Sequence, residues 1–555
     1  MKQVEKQQQA QNKFSIAPDG KIYPLPTEGE NQTEFGRVQQ LVKAAKQRGL
    51  QIVVVQGQGF VGAVMAAIVA DAKKKFVIGL QRPSRRSFWK IPMLNAGISP
   101  IASEDPEVAK GIACTVIKKK TYTATWVDEV LSLADVVVVD VQCDVVKPEF
   151  GNVESATVEI EACKAAIQTI GKYIRLEALV MIETTVPPGF CEYIAKPILE
   201  KEFTKRGINL KKNPVRLSHS YERVMPGKDY WDSIVNFPRV YSGVNEVSAE
   251  LAGKFLAEVL TGPKAKLSRL PRTTMSEFSK CFENSYRASL LAFGRVGGWL
   301  AEIMGVDLSV VRNAIAERPT HRDIMVPRTP STGGYCLPKD AVFLLWSARN
   351  ISAFFTQLDA ANKKKLDWCL RLISLIVDIN DTSALRMVDL AEQAVKSKGK
   401  KITGMKVAVL GAAYREDVGD TRYASYESIV RRLQELGAKI AVGDPYVKSL
   451  DELSEQDRNP YSMAYHFKNQ SPLKKLKVLA DTKSVLRNAD VILFVVPHQE
   501  YLEVAPDWVI KSTGKSAKSL VIIDCGTLTD EKITKFKQRG CLVKKMYHGH
   551  IGVTV

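Results

Sequence analysis

The sequence predicts an α/β protein in which two doubly wound, Rossmann-like domains are joined by a central all-helical domain. Near both ends of the chain, β-branched apolar runs alternate with segments of helical length, a pattern typical of parallel strands with crossover helices. The run Gln51–Gln56, which leads into Gly57, is repeated at Lys406–Leu410, which leads into Gly411. Between about residues 249 and 394, strand signals give way to long helical patterns.

The predicted elements follow in order along the chain. A helix expected at 34–48 leads into the first strand, and the clearest helical stretch lies at 274–301. The polar segment 396–401 is predicted to be a linker. Four parts are therefore expected: a flexible extension at 1–32, a dinucleotide-binding Rossmann domain at 33–248, a central helical domain at 249–394, and a second Rossmann-like domain at 402–555.

The composition is that of an ordinary globular protein with a strong positive charge. Of the 555 residues, 45% are hydrophobic, and no apolar run reaches the ~18 residues of a membrane span. The nine cysteines are scattered without a Cys-x-x-Cys pair, which favours a cytoplasmic location and argues against a metal site. The net charge of +19 favours anionic partners. Because the basic residues are spread out without interleaved aromatics, we expect phosphate-bearing small molecules rather than nucleic acid.

A candidate phosphate-binding turn follows the first strand. The segment Gly57-Gln58-Gly59-Phe60-Val61-Gly62 has the GxGxxG spacing and precedes an alanine-rich helical stretch. Glycines permit a tight turn and close approach of the backbone to a pyrophosphate, which binds at the helix N-terminus. We therefore predict a nicotinamide dinucleotide site that includes Gly57, Gly59, Phe60, Val61 and Gly62.

This site lacks the acid that usually follows the second strand. Where an Asp or Glu would bind the ribose hydroxyls of NAD stands Gln81, followed by Arg82 and by arginines at 85 and 86. Loss of a carboxylate with gain of arginines is the change that admits the 2′-phosphate of NADP. In the alternative, Gln81 still binds the ribose of NAD and the arginines are solvated or contact the adenine. Both cofactors stay open at this point.

One cysteine, Cys336, has the surroundings of a nucleophile. It follows Gly333 and Gly334 and precedes an apolar run that is predicted to be helical. The helix N-terminus and Lys339 both favour a thiolate, and Asp340 is placed to act as a base. The alternative is a buried structural cysteine. Two glycines and a Lys-Asp pair suit a protein core poorly, so we prefer covalent catalysis.

These motifs together resemble the nucleotide-sugar 6-dehydrogenases, which comprise UDP-glucose, UDP-N-acetylhexosamine and GDP-mannose dehydrogenases. The segment 220–227, Ser-Tyr-Glu-Arg-Val-Met-Pro-Gly, is similar to the Ser-Pro-Glu-Arg-Val-x-Pro-Gly of the N-acetylhexosamine branch. The other segments that match the family in order, within residues 50–550, are 95–101, 183–189, the pair Lys280 and Asn284, and 420–422.

The resemblance implies a reaction and roles for residues. The C6 alcohol of a UDP-sugar would be oxidised to the acid by two hydride transfers, with Cys336 carrying a thiohemiacetal and then a thioester. Lys280 and Asn284 would stabilise oxyanions, Asp340 would position a proton or water, and Glu183 would assist hydrolysis. The remaining motif residues are assigned to the cofactor (Gln81, Arg82, Lys339) and to the substrate (Glu222, Arg223, Gly333, Gly334, Arg415, Arg422). The family also implies a homo-oligomer formed through the central domain.

Three residues depart from the family pattern. Tyr221 replaces a proline, Gln81 replaces the cofactor acid, and Cys143 stands where a threonine helps to order the hydrolytic water, a role that Asp144 would have to take over. We expect UDP-N-acetylmannosamine or UDP-N-acetylglucosamine as the substrate, with UDP-glucose as the alternative. A protein that binds nucleotide-sugars without turnover is a further hypothesis, although it has no need of Cys336.

Overall fold

A computed structural model describes residues 14–225, 227–322, 325–351, 354, 358–456, 459 and 461–549. The chain divides into two compact units. The first unit comprises residues 1–144, 158–281 and 346–354, and the second comprises 145–157, 282–345 and 355–555.

The strands in chain order are β1 (Phe14–Ile16), β2 (Ile22–Pro24), β3 (Gln51–Gln56), β4 (Lys75–Leu80), β5 (Tyr122–Thr125), β6 (Val136–Val139), β7 (Asp144–Val146), β8 (Thr157–Glu159), β9 (Leu179–Ile182), β10 (Leu217–His219), β11 (Arg239–Gly243), β12 (Leu267–Arg269), β13 (Lys406–Leu410), β14 (Lys439–Gly443), β15 (Val478–Leu479), β16 (Val491–Phe494), β17 (Val521–Asp524) and β18 (Leu542–Lys545).

The α-helices, numbered from the first described one, are α1 (Glu28–Gln47), α2 (Gly62–Asp71), α3 (Lys90–Asn95), α4 (Pro106–Ala113), α5 (Glu161–Tyr173), α6 (Lys196–Lys205), α7 (Tyr230–Asn236), α8 (Glu246–Val259), α9 (Thr273–Met304), α10 (Leu308–Ala316), α11 (Leu337–Asn350), α12 (Ala360–Ser383), α13 (Leu385–Ser397), α14 (Ser425–Glu435), α15 (Asp451–Ser454), α16 (Thr482–Leu486), α17 (Gln499–Glu503), α18 (Pro506–Thr513) and α19 (Asp530–Gln538).

Each unit is built on a sheet with Rossmann topology. The first sheet has the order β12-β11-β10-β9-β6-β3-β4-β5 and is parallel except between β10 and β11. The second has the order β15-β14-β13-β16-β17-β18 and is parallel throughout. In both sheets the first strand of the parallel set lies beside the fourth, so the chain reverses direction across the sheet there. Ligands of such sheets bind at the carboxyl ends of these two strands. The predicted pair of doubly wound halves is confirmed.

The buried strands explain why these runs form sheets. The side chains of β3, β6, β9, β13 and β16 are almost entirely Val, Ile, Leu, Met, Ala or Phe, and nearly all are fully buried. Strands covered by helices on both faces read as continuous apolar runs rather than as alternating ones. α2 is likewise apolar all round, since every residue from Gly62 to Ala70 is buried.

The structure differs from the sequence-based boundaries at three places. Helix α1 begins at Glu28 rather than near residue 34, because Thr27 and Glu30 form a capping box at its start. Strands β1 and β2 pair antiparallel inside the stretch expected to be flexible, of which residues 1–13 lie outside the described part. Strand β12 falls inside the stretch predicted to be helical only. Its three residues join the sheet edge beside β11 and are too few to give a periodic signal.

Helix α9 confirms the helix predicted at 274–301. Among the described residues, no helix combines the length and apolarity needed to cross a membrane.

Two adjacent glycines in α9 offer a matched test of packing in the second unit. A Cβ on Gly298 would lie 2.1 Å from the ring of buried Tyr547, whereas a Cβ on Gly297 would have its nearest neighbour, Leu308, at 3.7 Å. We expect Gly298→Ala to lower the free energy of unfolding by about 1–3 kcal/mol through overpacking. Gly297→Ala should raise it by up to about 1 kcal/mol through helix propensity. Denaturant unfolding of both variants measures the difference, and equal stabilities would contradict the assigned contact.

Candidate functional site

The turn after β3 in the first unit is shaped to receive a dinucleotide. Gly57 has φ +99°, and a Cβ there would lie 2.6 Å from the carbonyl oxygen of Asp140. A Cβ on Gly62, the first residue of α2, would lie 2.0 Å from the carbonyl oxygen of Gly57. A Cβ on Gly59 would meet nothing within 4 Å. The outer two glycines thus permit chain contact and the middle one leaves open space, as the pyrophosphate site of NAD requires.

Phe60, which lies between Gly59 and Gly62 in the turn, is anchored by an aromatic contact. The ring of Phe60 stacks on Tyr230 with a centroid separation of 4.9 Å, and the Tyr230 hydroxyl donates to the Phe60 carbonyl oxygen. Val61 precedes the first residue of α2. Phe60 therefore anchors the turn to Tyr230, and Val61 connects the turn to α2.

Gln81 occupies the end of β4, where the missing acid was expected. Its Oε1 accepts a hydrogen bond of 2.8 Å from the Gln58 backbone N–H, and its Nε2 donates to the Ser87 hydroxyl at 3.1 Å. Gln81 therefore links the glycine turn to the following loop, as a carboxylate would. Arg82 and the arginines at 85 and 86 lie exposed on that loop.

Glu183 directly follows strand β9 and is fully buried. Its Oε1 forms an ion pair of 2.6 Å with Arg239, whose side chain is only 2% exposed. Burial raises the pKa of Glu183, and the Arg239 charge opposes that rise. The acid predicted from the sequence thus has a buried cationic partner in the first unit, which the sequence analysis did not single out.

Lys280, in α9, is surrounded by the segment after β10. Its Nζ donates to the carbonyl oxygen of Glu222 at 2.8 Å and lies 3.8 Å from Oε1 of the same residue. It also lies 5.3 Å from the ring centre of Tyr221. Since Lys280 is 4% exposed, the structure places it as a buried cation rather than a solvated one.

Tyr221, the departure from proline, is itself part of this arrangement. It is fully buried, and its hydroxyl lies 2.8 Å from the Ser279 hydroxyl. Arg223 donates to the Tyr221 hydroxyl at 3.2 Å and to the Pro238 carbonyl at 2.9 Å. The tyrosine therefore packs against both Lys280 and Arg223. Pro226, in the same motif, lies outside the described residues.

Cys336, in the second unit, immediately precedes α11 and is half-buried. Its carbonyl oxygen accepts from the backbone N–H groups of Lys339 and Asp340, which form the first turn. Gly334 has φ +82°, and its N–H donates to the Arg422 carbonyl oxygen. A Cβ on Gly333 would lie 2.7 Å from the Tyr414 Cβ. The two glycines bring the thiol segment against the chain at 414–423, with the thiol at a helix N-terminus.

Asp340, in the first turn of α11, is held by contacts at both of its carboxylate oxygens. Its Oδ1 pairs with Lys339 Nζ at 2.9 Å, and its Oδ2 accepts from the Asn284 side-chain amide at 2.6 Å. Asp340 is fully buried and Lys339 is 2% exposed. Both carboxylate oxygens are therefore engaged, so Asp340 orients Asn284 and Lys339.

The two arginines assigned to the substrate lie near this cysteine segment. Arg422 forms an ion pair of 2.6 Å with Asp420, and its guanidinium lies 5.3 Å from the ring centre of Tyr335. Arg415 lies 5.9 Å from the ring centre of Tyr414. Arg422 thus neighbours Tyr335, next to Cys336 in sequence, and Arg415 neighbours Tyr414, against which Gly333 and Gly334 pack.

A strongly basic cavity of about 610 Å³ lies elsewhere in the second unit, where β17 and β18 end. Its described lining contains no acidic side chain and neither Arg415 nor Arg422. The cationic groups that line it are Arg287, Arg312, Arg322, Arg328 and Lys545, with His548 beside them. Because these cations come from four separate segments, sequence spacing gave no sign of the cavity. Its charge suits a diphosphate.

The turn after β13, which repeats the glycine turn of the first sheet, is already filled. Asp444 Oδ2 accepts from the backbone N–H groups of Ala412 and Ala413 at 2.7 and 3.0 Å, and lies 3.0 Å from His498 Nε2. In the second half the protein's own carboxylate binds those amides, and the cavity lies farther along the sheet.

Comparison with known proteins identifies the chain. Its residues 51–260, 274–365 and 408–531 match, in that order, the NAD binding, central and UDP binding domains of the UDP-glucose/GDP-mannose dehydrogenase family. The chain belongs to the UDP-glucose/GDP-mannose dehydrogenase family. The predicted family, its NAD-dependent oxidoreductase class and its NAD cofactor are thus confirmed.

Known dehydrogenases align with this chain over most of its length. It is 26% identical to UDP-N-acetyl-D-mannosamine dehydrogenase of Pyrococcus horikoshii over 88% of this chain and 98% of that protein. It is 25% identical to UDP-N-acetyl-D-glucosamine 6-dehydrogenase of Pseudomonas aeruginosa, over 75% and 87%. The crystal structure of NDP-N-acetyl-D-galactosaminuronic acid dehydrogenase from Methanosarcina mazei superposes with a TM-score of 0.70 and 28% identity, over 92% and 98%.

Cys143, the other departure from this dehydrogenase family, is buried beside a second cysteine. A hydrogen bond with Cys143, together with burial, raises the pKa of Cys163. Cys143 is 1% exposed and Cys163 fully buried. The thiol that replaces the family threonine is thus packed within the first unit.

Position 81 provides a test of cofactor selection. We expect Gln81→Glu to raise the ratio of kcat/KM for NAD to kcat/KM for NADP by about tenfold or more, because a carboxylate repels a 2′-phosphate and still accepts from Gln58. Gln40→Glu, on the exposed face of α1, is the matched control. Steady-state kinetics with both cofactors measures the ratio. An unchanged ratio in Gln81→Glu would show that position 81 does not contact the ribose.

Proposed function

We propose that the chain oxidises the C6 alcohol of a UDP-N-acetylhexosamine to the carboxylic acid by two successive oxidations on Cys336. The observation that supports this most directly is a half-buried thiol at the start of α11, next to the buried pair Lys339 and Asp340. A helix N-terminus favours the thiolate, which is the nucleophilic form. A thiol is also the group that four-electron oxidation of an alcohol requires, since it retains the aldehyde between the two steps.

The proposed steps use the chain's own groups as follows. The alcohol loses a hydride and a proton and becomes an aldehyde, to which the Cys336 sulfur adds, giving a thiohemiacetal. Loss of a second hydride and of the hydroxyl proton gives a thioester. Water then attacks the thioester carbon, the C–S bond breaks, and the thiol is regenerated with release of the acid. The Gly57–Gly62 turn would hold NAD⁺, which accepts one hydride, so two molecules of NAD⁺ are needed in succession for the two oxidations.

The other motif residues are proposed to stabilise charge and position groups. Lys280 and Asn284 lie four residues apart in α9, so they project from the same side of that helix. A cation and an amide donor suit an oxygen that gains negative charge. Asp340 fixes the Asn284 amide through its 2.6 Å hydrogen bond, and Glu183 is proposed to take the proton of the hydrolytic water.

We further propose that the basic cavity of the second unit binds the diphosphate of the substrate. It is lined by the chain at Cys525, Gly526 and Leu528, all within the matched UDP binding domain. Five cationic side chains and no acidic one among the described lining would balance the two phosphate charges. In this assignment the diphosphate contacts groups such as Arg328, and not Arg415 and Arg422, which were predicted to bind the substrate and do not line the cavity.

The acetamido sugar is preferred for two reasons. The segment 220–225 resembles the N-acetylhexosamine branch, and the relatives named above act on N-acetylated sugars according to their names. UDP-glucose is the alternative. A non-catalytic binder is disfavoured because Lys280 and Glu183 are held in buried ion pairs in the first unit, and Asp340 in the second, and Cys336 is retained. Binding alone does not need this set of groups.

Replacement of the thiol tests the mechanism. We expect Cys336→Ser to lower acid formation from UDP-N-acetylmannosamine at least about a thousandfold, because the hydroxyl is a far weaker nucleophile. Binding of the UDP-sugar, measured by calorimetry, should be retained. The exposed Cys369 provides the control variant Cys369→Ser, which should keep full activity. Product analysis by mass spectrometry with a panel of UDP-sugars identifies the substrate.

The same variant separates binding from chemistry. In the Cys336→Ser background, Arg328→Ala should weaken UDP-sugar binding about tenfold through loss of a charge-assisted contact, while Arg371→Ala, on exposed α12, should not. Full acid production by Cys336→Ser would remove the thiol from the mechanism. Unchanged binding in the Arg328 variant would remove the cavity from the diphosphate site.

We propose a homo-oligomer formed through the predicted central helical domain, 249–394. In the second unit, α9 exposes an apolar row in which Phe282 is 54%, Tyr286 54%, Phe293 78% and Leu300 47% exposed. α12 also exposes large apolar side chains, including Trp368 and Leu372. Surface helices normally keep such residues covered, so a second copy of the chain is the proposed partner.

The oligomer is testable at the most exposed phenylalanine. We expect Phe293→Lys to shift the chain to a smaller assembly, because burial of an unpaired ammonium disfavours the apolar contact. Trp508→Lys, at a 42% exposed tryptophan of α18, is the control and should leave the mass unchanged. Sedimentation or light scattering measures the mass. The same mass for all three proteins would contradict an interface at α9.

A further inference from the structure

Several buried side-chain nitrogen and oxygen atoms at the carboxyl edge of the first sheet form no hydrogen bond within the described residues. Among the described residues, none of these atoms has a hydrogen-bond partner and all are shielded from solvent. They are Gln56 Oε1, Asp140 Oδ2, Glu183 Oε2, His219 Nε2, Ser220 Oγ and Arg239 Nη2. Buried polar groups are normally paired, so this edge is built for something besides packing.

Asp140 and Glu183 are direct neighbours within this group. They follow β6 and β9, whose last residues, Val139 and Ile182, are paired in register. The N–H groups of Glu183 and Thr184 both donate to the Val139 carbonyl oxygen. The two carboxyl groups therefore leave adjacent parallel strands side by side, close enough to form a hydrogen bond if one of them carries a proton.

Such a hydrogen bond requires a proton. An ionised carboxylate only accepts hydrogen bonds, so two of them cannot bond to each other. Asp140 Oδ2 and Glu183 Oε2 have no donor among the described groups, which leaves them to each other. One proton between them completes the pair, as in other carboxyl pairs that share a site.

The charges around Asp140 and Glu183 also favour one shared proton on this pair. Burial raises the pKa of Asp140 well above its usual range, with further rises from Glu183 and Glu222, and Arg239 opposes them. Arg239 already pairs with Glu183 at 2.6 Å, and Glu222 lies beside Lys280. One buried guanidinium balances one carboxylate of the pair. His219, in the same edge, stays neutral because burial lowers its pKa to about 3.

The pair lies against the dinucleotide turn. A Cβ on Gly62 would lie 3.2 Å from Asp140 Oδ2, and Gly62 begins α2, whose N-terminus is the anion site of the turn. A second full negative charge at this point would repel the pyrophosphate of a dinucleotide. A pair that keeps one proton carries a single charge, which Arg239 offsets.

We propose that Asp140 is a positioning residue that shares one proton with Glu183, and that the pair must keep this proton for the dinucleotide to bind. This rests on the assigned dinucleotide site but not on the sugar or on the Cys336 chemistry. As pH rises, the pair loses its proton and gains charge, so dinucleotide affinity falls. The fall approaches tenfold per pH unit for one linked proton.

Calorimetry tests the linkage without any turnover. In buffers of different ionisation enthalpy, NAD binding to the full chain should take up protons at alkaline pH, with Kd rising as pH rises. Asp140→Asn, which cannot ionise and can donate its amide hydrogen to Glu183, should show neither effect. Glu183→Gln, whose amide donates to an ionised Asp140, should also lose the proton uptake. Asp71→Asn, at the exposed far end of α2, is the matched control and should behave as the natural chain.

Infrared spectroscopy gives a readout that does not depend on the cofactor. A protonated-carboxyl band present at neutral to alkaline pH should vanish in the difference spectrum of Asp140→Asn. Two other buried acids, Glu277 and Glu427, have pKa values raised to about 7 by burial and cancel in that difference.

The shared proton and the proposed reaction can be disproved independently of each other. A Kd for NAD that is independent of pH in the natural chain, or proton uptake that persists in both Asp140→Asn and Glu183→Gln, would overturn the shared proton. Loss of acid formation from every UDP-sugar would overturn the proposed reaction instead, and would leave the calorimetric and infrared results unaffected.

Discussion

The close packing of backbone around Gly57 and Gly62 is the constraint on which the first unit's site depends. A Cβ at either position would run into a backbone carbonyl at 2.6 or 2.0 Å. This approach brings the end of β3, the start of α2 and the end of β6 together at the point where the sheet reverses its strand order. Everything proposed for the cofactor, including the role of Gln81 and of Asp140, depends on this junction of three chain segments.

Buried ion pairs hold the proposed reactive side chains in fixed orientations. Lys339 with Asp340, and Arg239 with Glu183, are almost completely removed from solvent. Such pairs contribute little net stability, since the cost of desolvation consumes most of their attraction. Their value lies in orientation: Asp340 fixes Asn284, and Arg239 fixes Glu183. Reactive groups that are held in this way lose little entropy when a substrate arrives.

Much of the fold could be predicted from local sequence signals. The strands β3 and β13, helix α9 and the glycine turn carry strong periodic or compositional patterns, and they were found. The family motifs also led to the prediction of Cys336, Lys280, Asn284 and Glu183 as site residues, and their roles stay predictions. Groups that depend on long-range packing were missed. Arg239 enters the site from a neighbouring strand, and the basic cavity gathers cations from segments far apart in sequence. Asp140 left one usable sign, an acid directly after an apolar strand.

Asp444 affects which of the two corresponding turns, the one after β3 or the one after β13, can bind an external anion. Its carboxylate accepts hydrogen bonds from the amides of Ala412 and Ala413, in the turn that corresponds to the glycine turn of the first sheet. These amides are therefore paired within the chain, and the fixed negative charge of Asp444 would repel a pyrophosphate at this turn. Of the two turns that follow β3 and β13, only the one after β3 therefore leaves its backbone amides to an external anion, and the proposed oxidations would have to use that turn in succession.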